Sequence, residues 1–277
     1  MTVREAWIRD DHVTLDKKDD VGRAYGWLRG EHERPPIVLD GKRPYAIINV
    51  RRFLEAGGVH AGTNVEKVAL PVPVLDEDAT DAEVVTRFRD TLAPYLPVGD
   101  GKRLAGYVTP LAVLKDLFET GPTAGEAAAP APVLTHEDTM ERAAHAFKDS
   151  TVRHLPVMNR GGRLVGALPR SGLVRMQDNA DQAMGRKDYA GGRDDFWGEP
   201  VLGFMEEGWD EAGEDLRFSD LLARIEEQGT VFVRGRDGIF LGVVDAPLLL
   251  RAAAERDERF QTDRPENRPP TPAAWHR

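Results

Sequence analysis

The stretch RHLPVMNRGGRLVGALPRSG (153–172) sets two apolar runs on either side of Gly161-Gly162 and ends where a helix can begin. Apolar runs joined by such a turn predict a two-stranded hairpin. The pattern occurs three more times: IVLDGKRPYAIINVRRFLEA (37–56), LPVGDGKRLAGYVTPLAVLKDL (96–117) and VFVRGRDGIFLGVVDAPLLLRA (231–252). Each copy turns on a DG or GG pair, at Asp40-Gly41, Asp100-Gly101, Gly161-Gly162 and Asp237-Gly238, and each has a small residue in its second strand. These small residues are Ala46, Gly106, Gly166 and Gly242, at spacings of 60, 60 and 76. A repeat of this length governs the whole reading.

A helix is expected before each hairpin. In the third copy Met140, Ala143, Ala144 and Phe147 recur at i, i+3, i+4 and i+7, and Phe218, Leu221, Leu222 and Ile225 do so in the fourth. The first copy offers Val21, Ala24, Tyr25 and Leu28, and the second the thinner pair Val85 and Phe88. A further apolar segment lies upstream of each helix, near Val13, Val74, Val133 and Trp209. The unit is therefore strand, helix, strand, strand, helix, an α/β (α+β) pattern. Sixty residues cannot cover both faces of such a sheet, so units should pair.

The boundaries expected are 1–60, 61–120, 121–176 and 201–257 for the four units, with a polar, Gly-rich insert at 177–200 and a disordered tail at 258–277. The segment GPTAGEAAAPAP (121–132), rich in small residues and prolines, should divide two pairs. The chain has no cysteine, so buried apolar surface must stabilise it. Its apolar runs are too short to span a bilayer, and MTVREAWIRDDH lacks the order of a signal peptide; a cytoplasmic location without membrane contact is expected. The net charge is −10 and neither half is basic, which argues against nucleic-acid binding except through a local patch. The histidines show no metal-ligand spacing, and neither a Walker loop nor a GxSxG elbow is present, so no enzymatic activity is expected.

The order of elements, and above all VLTHEDTMERAAHAF with RHLPVMNRGGRLVGALPRSGLVRM in the third copy, resembles the CBS domain (cystathionine β-synthase type). Tandem pairs of that domain form Bateman modules. Four repeats forming two modules are similar in layout to the γ subunit of AMP-activated protein kinase. The resemblance implies a non-catalytic regulatory protein that binds AMP, ADP, ATP or S-adenosylmethionine and acts through a macromolecular partner. It also implies a signature Gly-h-x-Thr/Ser-x-x-Asp/Asn (h, apolar), whose hydroxyl and helix N–H groups meet phosphate and whose carboxylate takes the ribose hydroxyls.

This sequence departs from that signature. The hydroxyl position holds Asn49, Thr109, Pro169 and Asp245, and the carboxylate position holds Arg52, Ala112, Gly172 and Leu248. Thr109 before Pro110, Asn49 and Asp245 also suit helix N-caps. The ligand-binding candidates are Val133, Thr135, Arg153, His154, Pro156 and Arg170 in the third copy, with Thr109 and Asn49 elsewhere. Trp197 in the insert and Trp275 in the tail are candidate partner anchors. The alternative is a ligand-independent scaffold with degenerate pockets, such as a ribosome-associated dimerisation or hibernation factor; the layout also allows a homodimer.

Overall fold

The computed structural model describes residues 3, 5–28, 36–48, 62–148, 150, 152–184 and 196–261. The first unit contains β1 (Val13–Asp16), α1 (Val21–Leu28), β2 (Pro36–Asp40) and β3 (Arg43–Ile48). The second contains β4 (Ala69–Pro71), α2 (Asp81–Thr91), β5 (Leu96–Gly99), β6 (Leu104–Val108) and α3 (Pro110–Leu117). The third opens on α4 (Ala124–Ala127) and continues with β7 (Leu134–Thr135), α5 (Met140–Lys148), β8 (His154–Met158), β9 (Leu164–Pro169) and α6 (Arg170–Met184). The fourth runs through β10 (Glu211–Gly213), α7 (Phe218–Gln228), β11 (Thr230–Arg234), β12 (Phe240–Asp245) and α8 (Ala246–Arg256).

The four hairpins turn alike because the second turn residue is always glycine in the left-handed region, with φ of 66° at Gly41, 75° at Gly101, 74° at Gly162 and 80° at Gly238. Each also shifts register once, next to Val38, Val98, Val157 or Val233. Those four valines face Ala46, Gly106, Gly166 and Gly242. Helical periodicity reads out as burial: Met140, Ala143, Ala144 and Phe147 of α5 are all buried, as are Phe218, Leu221 and Ile225 of α7.

The small residues have a common cause. Each unit lends a segment upstream of its first helix to the hairpin of the neighbouring unit. Arg9 exchanges two backbone hydrogen bonds with Tyr107, both 2.9 Å, while Pro71 pairs with Ala46 in return. Likewise Ala129 exchanges bonds of 2.9 Å with Val243, and Glu206 bonds of 2.9 and 2.8 Å with Ala167. A Cβ at Gly106, Gly166 or Gly242 would stand 2.4, 2.6 or 2.1 Å from the carbonyl oxygen of the lent segment. The glycines are required by this close approach, which pairs unit one with two and unit three with four.

Three sequence expectations need correction. The segment 121–132 is built in rather than a bare divider: Thr123 and Glu126 form a capping box on α4, and Ala124 and Ala127 are buried. Small residues here allow close approach, with the Gly121 backbone against the Phe218 ring and Gly125 against Glu214. The insert assigned to 177–200 begins as helix, because α6 runs to Met184 and buries Ala180, and it ends with Phe196 and Trp197 packed on the third unit's core. Residues 185–195 lie outside the described residues. The tail assigned to 258–277 starts with an anchored turn, Glu258–Phe260, whose Phe260 is buried against Phe118 at 5.5 Å while Arg259 donates to the Leu117 carbonyl at 3.0 Å. Residues 262–277 lie outside the described residues.

The largest core does not respect the boundary between pairs. It joins Val84, Phe88 and Leu114 of the second unit to Leu221, Ile225, Leu249 and Ala253 of the fourth. Helix α8 packs on α2 and α3, and α1 on α6. The third unit, with part of the fourth, forms a separate core around Phe147, Leu155, Val157 and Phe232.

Candidate functional site

The polar residues of the second pair meet where units three and four face each other. His154 and Thr230, which open β8 and β11, share a hydrogen bond of 2.7 Å between Nδ1 and Oγ1. Their equivalence follows from register, since each stands three residues before the valine that faces the strand glycine. The imidazole is also 4.9 Å from the Trp209 ring, which is 5.3 Å from Phe232. Burial, then Arg153 and Arg170, push the His154 pKa down to about 3, so the ring is neutral at neutral pH.

Arg170 turns inward from the first turn of α6. It donates to the carbonyls of Ser150 and Val152, 2.8 Å each, and its guanidinium lies 5.2 Å from the centre of the Phe147 ring. Its backbone N–H meets the Arg153 carbonyl at 2.9 Å. Asp245 is buried and caps α8 through the Leu248 N–H at 3.1 Å. Burial raises its pKa, against the Leu248 bond and the cations Arg153, Arg170 and Arg251. Thr109 caps α3 in the same way, accepting from Ala112 at 3.3 Å. Both residues therefore have the capping role that the sequence suggests.

A separate, open groove of about 240 Å³ lies along α6. Its lining is Arg175, Asn179, Gly203, Phe204, Met205 and Glu206. One wall is the helix face that starts at Gly172; the other is the segment lent to β9. A Cβ at Gly172 would be 3.2 Å from Leu168 Cδ1, 3.5 Å from the Phe204 carbonyl oxygen and 3.8 Å from an Arg175 Nη. Arg175 donates to that carbonyl at 3.3 Å and stands 3.9 Å from Glu206.

The register of the lent segments identifies the same place in the other units. Phe204 corresponds to Trp7, Ala127 and Val68, all buried, whereas Phe204 is half-buried. In the second unit the Trp7 indole lies on α3 and donates to Asp116 at 2.8 Å. In the fourth, Leu248 takes the position of Gly172 and is buried in the core. The first unit's counterpart, Arg52, lies outside the described residues. Phe204 and Gly172 thus stand at the positions held by buried Trp7 in the second unit and buried Leu248 in the fourth.

None of Val133, Thr135, Arg153, His154, Pro156 and Arg170 lines this groove. Arg153, His154 and Arg170 gather instead around Thr230 and Asp245. Pro156 is buried opposite Ala167; the Thr135 N–H bonds Asp138 at 2.7 Å; Val133 is exposed. Asn49 and Trp275 lie outside the described residues, and Trp197 is partly covered by the third unit's core. Sequence reasoning missed Arg175, Asn179 and the 203–206 segment. Arg175, three residues after Gly172, was recoverable from helical spacing; Phe204–Glu206 was not, because only strand exchange brings it there.

Residues 125–178 match the family model described as CBS domain. That segment is a CBS domain. Proteins of this family are generally regulatory. A protein of Methanocaldococcus jannaschii, described as a proposed archaeal homologue of g-AMPK, has the same fold, with a TM-score of 0.77 at 16% identity over 91% of this chain and 99% of that one. An uncharacterised conserved protein of Pyrococcus horikoshii matches over the same shares, with a TM-score of 0.54 and 18% identity. A structure of CBSX2 in complex with AMP covers 49% of this chain and 98% of its own, with a TM-score of 0.38 and 18% identity; CBSX2 is a CBS-pair protein of Arabidopsis thaliana. No curated protein matches the chain by sequence. Among the described residues no helix is long and apolar enough to cross a membrane, and no group of three or more His, Asp or Glu could hold a metal ion.

Proposed function

We propose that this protein is a non-catalytic cytoplasmic sensor that takes an adenosine-containing ligand in the groove beside Gly172 and passes its occupancy to a macromolecular partner. The observation that carries this reading is the open groove of about 240 Å³ between α6 and residues 203–206. Phe204 and Met205 offer apolar surface for a base, while Arg175 and Asn179 offer donors for the polar end. Occupancy has a route outward, because α6 packs on α1 of the first unit, so a shift of α6 reaches the other pair.

A second reading, a ligand-independent scaffold, draws on the comparison between units. Trp7 and Leu248 are core residues, and a chain that fills its grooves has no need of a ligand there. Melting the full chain with and without AMP, ADP, ATP or S-adenosylmethionine decides between the two. At a ligand concentration of about 100 Kd the native state gains about 2.7 kcal/mol, which raises Tm by several degrees. An unmoved Tm with all four at millimolar concentration sinks the sensor reading and leaves the scaffold.

A further inference from the structure

We infer that the groove selects ligands phosphorylated on the ribose, at the 2′ or 3′ oxygen, over ligands with a free ribose diol. This rests on the reading of the groove as an adenosine site and adds its specificity. A diol is recognised by an acceptor that takes both hydroxyl protons; a phosphate is recognised by donors. Position 172 is glycine and supplies no carboxylate, and the Phe204 carbonyl, 3.5 Å from where a Cβ would stand, already accepts from Arg175. The nearest charged atom to that point is an Arg175 Nη, 3.8 Å from where a Cβ would stand. A guanidinium is a fork of donors matched to phosphate oxygens. Dinucleotide-binding folds draw the same distinction, with a carboxylate for the diol and an arginine for the ribose phosphate.

The present contacts of Arg175 are compatible with this task. It bonds the Phe204 carbonyl at 3.3 Å, which holds the side chain on the groove wall. Glu206, at 3.9 Å, is beyond hydrogen-bond range and orients the guanidinium without saturating its donors. Asn179, one turn further along α6, adds an amide to the same wall. The second and fourth units also hold a cation at the corresponding position. Lys115, behind Trp7, pairs with Glu226 at 2.7 Å, and Arg251, behind Leu248, faces Glu255 at 3.9 Å.

The test uses three isomers of equal composition, ADP, 2′,5′-ADP and 3′,5′-ADP, titrated calorimetrically into the full chain. One ribose-phosphorylated isomer should bind at least about tenfold tighter than ADP, and the preference should shrink as salt rises. Arg175→Ala should bring the isomers level, and Gly172→Asp should turn the preference toward ADP. Arg175→Gln serves the same purpose if the alanine variant does not fold. ADP binding as tightly as both isomers, or more tightly, overturns the inference and leaves the groove as an adenosine site. An Arg175 variant that weakens all three equally overturns it too, since that marks a residue that only shapes the wall. If neither the isomers nor AMP binds, the reading of the groove falls and the specificity falls with it.

Discussion

The two pairs of units share one frame and fill it differently. In the first, the centre is closed by aromatic groups: the buried Tyr95 hydroxyl donates to the Pro36 carbonyl at 3.0 Å, and the Tyr95 and Tyr107 rings meet edge to face at 5.9 Å. In the second, the position of Tyr95 is taken by His154 and Thr230, with Asp245, Arg153 and Arg170 around them. Burial makes a neutral hydroxyl harder to ionise and thereby keeps it in the form that suits the interior; the same burial forces His154 to stay uncharged. The second pair's centre therefore titrates through His154, while in the first pair burial lowers the pKa of His12, whose ring meets Tyr107 edge-on at 6.4 Å. The outer grooves differ in the same sense, with Trp7 on one and Gly172 beside the other. What the repeat conserves is the backbone exchange, and what it leaves free is the filling.

The sharpest way to break that frame is to obstruct the exchange. Gly242→Val places a Cβ where the Ala129 carbonyl lies 2.1 Å away, on a residue whose φ is 148°, and should cost about 4–5 kcal/mol by chemical denaturation. A loss under 1 kcal/mol would show that the lent segment is not held there. Trp7→Ala comes next. Removing a buried indole that donates to Asp116 should cost about 3–4 kcal/mol, and it should also give the first pair a groove that the native chain lacks. Unchanged stability would mean that Trp7 does not close that site.

Acid titration tests the centres. The folded-state pKa of His154 lies below its unfolded value, so the unfolded chain binds the extra proton, and the stability due to neutral His154 is present above about pH 6.5. It is lost as pH falls toward 3, at no more than about 1.4 kcal/mol per unit. His154→Gln, compared with the native chain between pH 7 and 4, should flatten that part of the curve. Asp245 acts in the opposite sense: its folded pKa is raised, so its protonation favours the fold as pH falls through that pKa. Parallel curves for variant and native chain would contradict the assignment of acid sensitivity to this centre. The smallest effect expected is on the caps, with about 1 kcal/mol lost in Thr109→Ala, read from the denaturation midpoint. Weakened ligand binding without lost stability would make Thr109 a contact rather than a cap.

The repeat was legible because three independent signals coincide in each copy. A turn needs a left-handed glycine, a strand needs a small residue, and a helix needs an apolar stripe; Gly162, Gly166 and Phe147 record all three in the third copy. The site was less legible. Arg170 looks like an anion-binding residue by type and position, yet its donors go to the backbone at Ser150 and Val152, which no residue pattern reveals. Gly172 is one of four departures from the family's signature, and its meaning depends on Phe204 and Glu206, whose approach is a property of the paired fold. Phe260 carried a signal that composition hid, a single aromatic at the head of a Pro-rich polar tail.

The lent segments have a consequence in time. Arg9 waits for Tyr107, and Ala129 for Val243, partners roughly 100 residues apart in the chain; contacts this distant slow folding. During synthesis at about 5–20 residues per second, each early segment stays without its partner for about 5–20 s. Over that interval an apolar start such as Glu5–Trp7 is exposed to whatever else is nearby, including the hairpin of a second nascent chain. Birth order thus makes the N-terminal segment of each pair the point at which two copies can exchange parts, before either has finished being made.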